Sequence, residues 1–345
     1  MSECARRFES FVAVISSLFK VHGLDLGSHA RSYISSLLSR VPRKNMERFA
    51  EEFRGIDYQN LQQFISDSPW ECGPVWKWIA DKAGALLTGP GPRMLLIDES
   101  SFAKKGDSSA GVARQYCGRL GKTESCQVGV YSALCRDGQA LLTGARLYLP
   151  REWTEDDERC DKAGIPEEDR IFATKNALAW ELIQEAEANG LKFDWIAADS
   201  AYGRDQELML KIAGMCKTFV MDVETTHVEL ATRQGQRHFV ERVFEDAKSE
   251  LGMGEYQVRK WRAWHHHMAL VGMAMAFAFG KRLRLEPGNP LISTRDVVDM
   301  VAWYFQEERS AADVEASIKV RHRRRKLAME CKIRRENADQ ESITM

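Results

Sequence analysis

The sequence predicts an α/β fold: a mixed sheet flanked by helices, preceded by a segment that is helical throughout. Three observations carry this. Residues 1–92 repeat apolar positions at helical spacing, as in Arg31–Leu38, Met46–Phe53 and Tyr58–Ile65. The stretch TGPGPR, Thr88–Arg93, then breaks that pattern, as a linker would. Beyond it, short apolar runs alternate with amphipathic ones, and two of the runs, MLLI and WIAA, end directly on an aspartate.

In chain order, Pro42, Gly55 and Ser68-Pro69 punctuate the first helices, and Trp70, Trp76 and Trp78 lead into a helix ending near Leu87. Met94–Ile97 reads as a buried strand ending at Asp98. Gln127–Leu134 and Gln139–Leu149 read as two more strands, joined through Arg136-Asp137-Gly138, a hairpin turn with Asp-Gly chemistry. Asn176–Asn189 is a helix stopped by Gly190. Phe193–Ala198 is the fourth strand, ending at Asp199; Asp205–Met215 is a helix and Lys217–Val223 the fifth strand. Helical patterns over Phe239–Leu251 and Trp261–Phe279 follow. Three strands with an antiparallel hairpin, then helix, strand, helix, strand, helix, is the order of a ribonuclease-H-like core with a five-stranded sheet. The expected division is a helical domain over 1–92, a catalytic domain over 93–290, and a helical basic extension over 291–345.

Composition narrows the classes. The chain has 345 residues, 44% hydrophobic and 29% charged, which suits two globular domains at about 150 residues each. The longest nearly uncharged apolar run, Met268–Gly280, is well short of the roughly 20 residues of a membrane span, and so reads as a buried helix. The N-terminus lacks a signal-peptide pattern, which places the chain in the cytoplasm. The eight cysteines form no C-x-x-C pair and no zinc-finger spacing, so reduced, mostly buried thiols are expected. The net charge of −1 hides segregation: Lys319–Arg335 carries nine Lys/Arg against Glu330 alone, while acids crowd Glu152–Asp169.

The chemistry rests on carboxylates. Asp98 and Asp199 follow buried strands, the end at which α/β sheets place their sites. If the two strands are neighbours, the carboxylates meet, and close carboxylates stay ionised only with a cation between them. A pair of Mg²⁺ or Mn²⁺ ions roughly 3.5–4 Å apart is the usual arrangement for phosphoryl transfer, completed by a third carboxylate. Either aspartate alone reads first as a turn or helix-cap residue. Further on, Arg237, Glu241, Glu245 and Lys248 fall at offsets of four, four and three, hence on one helical face. Phe239, Val240, Val243, Phe244 and Ala247 make the opposite, apolar face. By itself the charged face also reads as a solvated one.

The Arg237–Glu241–Lys248 spacing resembles the arginine–glutamate–lysine signature of bacterial insertion-sequence transposases in the DDE superfamily. Similar strings are LIDESSFAKKG around Asp98, GVARQYCGRLGK from Gly111, TGARLYLPREW from Thr143 and ADSAYG around Asp199, together spanning about Met94 to Leu270. The resemblance implies a metal-dependent DNA endonuclease that cuts at transposon ends and transfers the strand into target DNA. It makes Asp98, Asp199 and Glu241 the ligands of two Mg²⁺ (or Mn²⁺) ions, and Arg237 and Lys248 phosphate contacts. It selects Glu241 over Glu245, which spacing alone does not. It also implies a homodimer on double-stranded DNA and a location with the nucleoid. Where the signature carries a tyrosine, this chain has Gln234. Many relatives insert a β-rich segment before the glutamate helix and grip the transposon end with it. Here 42 positions separate Asp199 from Glu241, enough for a fifth strand and a connection only.

Other basic residues fit DNA. Lys104, Lys105, Arg114, Arg119 and Lys122 lie between the first two strands, either on phosphates or in a solvated loop. Arg323, Arg324 and Arg325 lie in the RHRRRK cluster, which suits salt-sensitive, sequence-tolerant binding. Consecutive His265, His266 and His267 cannot converge on one ion and are expected at the surface or near DNA. Trp153 and Trp195 read as core packing rather than base stacking. Two rival functions share these features: a shortened, catalytically inactive DNA-binding relative, and another ribonuclease-H-fold DNA nuclease.

Overall fold

The computed structural model describes residues 3–53, 55–215, 217–221 and 243–305, and seven positions between 319 and 334. Residues 1–305 form one compact unit and 306–345 another. In the second unit Lys319, Arg323, Lys326, Met329, Glu330, Ile333 and Arg334 are helical and, Glu330 apart, exposed.

The N-terminal segment folds as α1 (Glu3–Ile15), α2 (Gly27–Leu37), α3 (Met46–Glu52), α4 (Tyr58–Ser66) and α5 (Cys72–Leu86). Helix α1 buries Ala5, Phe8, Val12 and Ile15, one stripe at three- and four-residue spacing. Asn45 and Asp57 cap α3 and α4 by accepting from Arg48 N and Asn60 N. The segment is not wholly helical. A two-residue antiparallel pair, β1 (Lys20–Val21) with β2 (Leu24–Asp25), turns through His22 and Gly23, both at positive φ.

The sheet comprises β3 (Met94–Ala103), β4 (Ala113–Cys117), β5 (Lys122–Arg136), β6 (Gln139–Leu147), β7 (Trp195–Ala198) and β8 (Thr218–Met221). β5 lies antiparallel to β3, β4 and β6, while β7 is parallel to both β3 and β8. The expected ribonuclease-H-like order is present, with six strands rather than five. The addition is β4, which lies where a loop is expected. At the β5–β6 turn Asp137 and Gly138 have φ of 47° and 77°, the primed geometry that Asp-Gly favours. A second difference concerns β3, which runs on past Asp98 because its pairing with β5 continues to Ala103. Its parallel neighbour β7 stops at Ala198, so Asp98 still lies where one partner strand leaves it.

Helices α6 (Arg151–Thr154), α7 (Asp157–Ala163), α8 (Lys175–Ala188), α9 (Ser200–Gly203) and α10 (Gln206–Gly214) connect the strands. Residues 243–249 form α11, followed by α12 (Trp261–Leu285) and α13 (Thr294–Phe305). Helix α12 is buried around its circumference from Ala263 to Phe279 and packs against β6, α2, α4, α5 and α13. Met268–Gly280 is therefore a buried helix, as expected. None of the described helices is long and apolar enough to cross a membrane.

The histidines correct the expectation of surface positions. His266 and His267 are buried, because no side of α12 faces solvent at that turn. His266 stacks on Trp70 at 3.6 Å, with Nδ1 2.9 Å from Ile65 O and Nε2 2.8 Å from Trp70 O. His267 Nδ1 meets the Tyr33 hydroxyl at 2.8 Å, and His265 Nδ1 meets Trp261 O at 3.1 Å. Burial pushes His265, His266 and His267 down to about 3, 4 and 3. His266 and His267 are neutral core residues that tie α12 to the N-terminal helices, whereas His265 is half-buried and bonds within α12. Trp153 is fully buried, as expected of core packing.

Gly272 sets how close α5 and α12 can approach. A Cβ there would stand 2.9 Å from both Ile79 Cδ1 and Trp76 Cζ3. Gly272→Val is expected to destabilise the protein by about 1–3 kcal/mol through overpacking, measured as a lowered urea midpoint at unchanged slope. A midpoint equal to wild type would show that α5 is free to retreat.

Candidate active site

The parallel ladder between β3 and β7 pairs Met94 with Trp195 and ends at Ile97 with Ala198. The next residues are Asp98 and Asp199, so the backbone register alone brings the two carboxylates to one edge. Asp98 Oδ1 accepts from Glu99 N at 2.7 Å. Asp199 caps α9 and accepts from Ala201 N at 3.0 Å, so the cap and the proposed ligand are the same residue. Among the described residues neither carboxylate has an ion-pair partner. Burial pushes the Asp98 carboxyl up to about 7; the Asp199 and Glu99 charges add to this, against the Glu99 N–H and Lys248.

Lys248, on α11, faces this edge. Its ammonium lies over the Phe244 and Phe102 rings at 5.4 and 5.9 Å. Burial and then the Arg119 charge lower its pKa, and Asp98 opposes both. Helix α11 is held by Phe244 edge-on to Tyr131 at 5.3 Å and by the Thr294 hydroxyl, which donates to Asp246 at 2.6 Å. Val243, Phe244 and Ala247 are its buried face, and Glu245 is exposed.

Three further residues complete the edge, and they escape a reading by strand ends. Glu99 pairs with Lys175 at the start of α8, Nζ to Oε2 2.6 Å. Tyr202, inside the ADSAYG string, is 1% exposed, and among the described residues its hydroxyl has no hydrogen-bond partner. Burial, and after it the Glu99, Asp98 and Asp199 charges, raise that phenol's pKa, so it stays protonated. Lys175 carries no local sequence signal; only the fold brings α8 to β3.

A divalent cation fits this edge. Two carboxylates side by side, one of them protonated near neutrality without a counter-charge, and an unpartnered buried hydroxyl beside them suit a hydrated cation and its water. Among the described residues no set of three His, Cys, Asp or Glu side chains converges.

The remaining sequence candidates divide. The Lys104 ammonium sits 3.4 Å from the Tyr256 ring centre and donates to Tyr256 O at 3.2 Å, and burial pushes it down to about 7. Lys104 is therefore half-buried and engaged with Tyr256. Lys105 and Arg114 are exposed, Arg114 on β4; Lys122 is exposed and paired with Glu124 at 3.2 Å. Arg323 is exposed in the second unit. Arg237, Glu241, Arg324 and Arg325 lie outside the described residues.

A ribonuclease-H-like sheet with paired aspartates on adjacent parallel strands defines a class of nucleases and transferases. Residues 23–236 match the DDE superfamily endonucleases, and the chain belongs to that family. It is also 28% identical over 221 residues to the probable transposase for insertion sequence element IS701 of Microchaete diplosiphon. The alignment covers 62% of this chain and 54% of that protein, so the chain spans about half the length of the curated relative it matches. The family match takes in Asp98 and Asp199 and stops one residue short of Arg237. Enzymes of this superfamily generally use divalent metal ions.

The elevated Asp98 carboxyl has two consequences. Its folded pKa of about 7 lies above its ordinary 3.8, so the folded state holds a proton that the unfolded chain has lost. Metal-free stability should fall as pH rises from about 4 to about 7 and then level off. Asp98→Asn should therefore stabilise the metal-free protein at pH 8, by about 1–3 kcal/mol after allowance for partial exposure, and not at pH 4. A cation must displace that proton, so Mn²⁺ affinity measured by calorimetry should weaken up to tenfold per pH unit below about 7. Affinity flat from pH 5 to 8 would remove Asp98 from the site.

Proposed function

We propose that this chain is an insertion-sequence DNA transposase, an Mg²⁺- or Mn²⁺-dependent endonuclease and strand transferase. The observation that carries this reading is the adjacency of Asp98 and Asp199 across β3 and β7, inside a chain of the DDE endonuclease family. The third ligand in this reading is Glu241, seven positions before Lys248, a two-turn helical offset from a residue that faces Asp98. Asp98, Asp199 and Glu241 hold two divalent ions, which supply charge neutralisation at the phosphate and a nucleophile activated at neutral pH.

The chain's own residues do the positioning. Lys248 and Arg237 hold the backbone around the scissile phosphate by charge-assisted hydrogen bonds. The Lys248 ammonium, held over two aromatic rings, is suited to this because little of its freedom remains to be lost. The Tyr202 O–H donates into the carboxylate edge and keeps bound water ordered there. Lys175 pairs with Glu99, keeping that carboxylate from competing with Asp98. Lys105, Arg114, Lys122 and the Arg323–Arg325 cluster add sequence-tolerant contacts along the duplex. In the domain reading, residues 1–92 recognise the terminal repeat, 93–290 catalyse, and 291–345 extend the basic surface. The two ends are joined by a homodimer on DNA, in the bacterial cytoplasm at the nucleoid.

The test is cleavage of labelled duplex carrying the element's ends, with Mg²⁺, Mn²⁺ or EDTA. Wild type should nick at the ends only with metal, and Glu241→Gln should lose at least about 100-fold in rate with DNA affinity retained. Binding without nicking in wild type would leave the inactive DNA-binding relative as the reading. Cutting of branched duplexes without preference for the ends would favour another ribonuclease-H-fold nuclease.

A further inference from the structure

The strand that the sequence reading lacks, β4, forms with the first part of β5 a hairpin at the edge of the sheet. Its turn is tied back to β3. Ser101 Oγ, three residues beyond Asp98, accepts from Arg119 N at 3.4 Å and from the Cys117 thiol at 3.4 Å. Leu120 N and Gly121 N both donate to Cys117 O at 2.9 Å, closing the turn with Gly121 at positive φ. The tip is thus fixed to the strand that carries the catalytic aspartate.

What this rigid tip presents is unusual for an edge strand. Tyr116 is 60% exposed and Leu120 45% exposed, with the exposed cations Arg114 and Arg119 beside them. Register gives the direction. Asp98 pairs with Tyr131, Arg114 with Ser125 and Tyr116 with Thr123. Those three β5 residues are an even number of positions apart, so Arg114 and Tyr116 continue the sheet face that bears Asp98. Through the bond from its backbone N–H to Ser101, Arg119 is held three residues along β3 from Asp98.

We propose that the β4–β5 hairpin is a DNA-end arm, in which Arg119 holds a phosphate while Tyr116 and Leu120 receive an unpaired base of the strand leading to Asp98. This rests on the nuclease reading of the Asp98–Asp199 edge and adds to it a preference for frayed or forked ends. A bare cationic edge would need only arginine and lysine. An exposed tyrosine between two arginines, on a backbone that cannot swing away, supplies a stacking platform that tolerates any base.

The test uses the full chain with Asp98→Asn, which blocks cutting, and two 20-base-pair probes, one blunt and one forked with 2-aminopurine in the single-stranded arm. The forked probe should bind more tightly, and its fluorescence should change on binding. Tyr116→Ala should lose the fluorescence change and about 5- to 100-fold in affinity for the forked probe alone, while Tyr116→Trp restores both. Arg119→Ala should weaken both probes and lower the salt slope by about one phosphate contact. Because Tyr116 is exposed, thermal unfolding should match wild type and exclude misfolding. Equal affinity and fluorescence for Tyr116→Ala and its parent would overturn the arm. A Tyr116-dependent signal from a chain whose wild type cuts nothing with Mn²⁺ would support the arm and remove only the cleavage reading.

Discussion

The structure depends on the burial of one helix. Helix α12 has no polar side between Ala263 and Phe279, so it can exist only where protein surrounds it. The sheet covers it through β6, and α2, α4, α5 and α13 cover the rest. The N-terminal helices and the six-stranded sheet are therefore two walls of one core, which explains why 1–305 is a single compact unit. Polar side chains that enter this core cross-link its walls. His266 spans Ile65 O and Trp70 O, and Tyr256 donates to Gln127 at 2.9 Å while accepting from the Trp264 indole at 3.1 Å.

That core also fixes the site. Tyr131, opposite Asp98 on β5, packs against Trp264 of α12 and Phe244 of α11. Any shift of α12 would move α11, and with it the Lys248 ammonium that faces Asp98. The two aspartates are set by backbone register, whereas the cation depends on packing several elements away. Such a division suits the reaction proposed above: the carboxylates proposed to share an ion follow the paired ends of a parallel ladder, and the proposed phosphate contact sits on a helix.

Legibility in the sequence followed the range of the physics. Features decided by neighbours along the chain were readable: the Asp137-Gly138 turn, the helix stop at Gly190, the helix from about Asp205, and the apolar run of α12. Strand ends carrying aspartates were readable because β7 does stop at Ala198, although β3 does not stop at Ile97. Strand β4 was hidden because ARQYC turns only small or sulfur-bearing side chains and a glutamine inward, too little apolar contrast to mark a strand. Lys104 looked like its neighbour Lys105; its inward course depends on Tyr256, 152 positions away. The histidines misled in a related way. The choice between solvent and core for His266 and His267 belonged to the partners at Tyr33, Ile65 and Trp70.

The same distinction bears on how this chain can act with so short a stretch between Asp199 and Glu241. An enzyme that cuts near DNA ends must hold the strand on both sides of the phosphate, and in our reading Lys248 and Arg237 do so at the carboxylate edge. The sheet compensates at its other end. β5 is the longest strand, fifteen residues, and its first part leaves β3 behind and carries β4 outward as an arm. That arm costs the fold little, because Ser101, Cys117 and the Gly121 turn hold it without drawing on the main core. If the hairpin grips DNA as proposed, a grip built into the early strands needs no insertion between Asp199 and Glu241, and the extra strand and the short connection answer the same mechanical requirement.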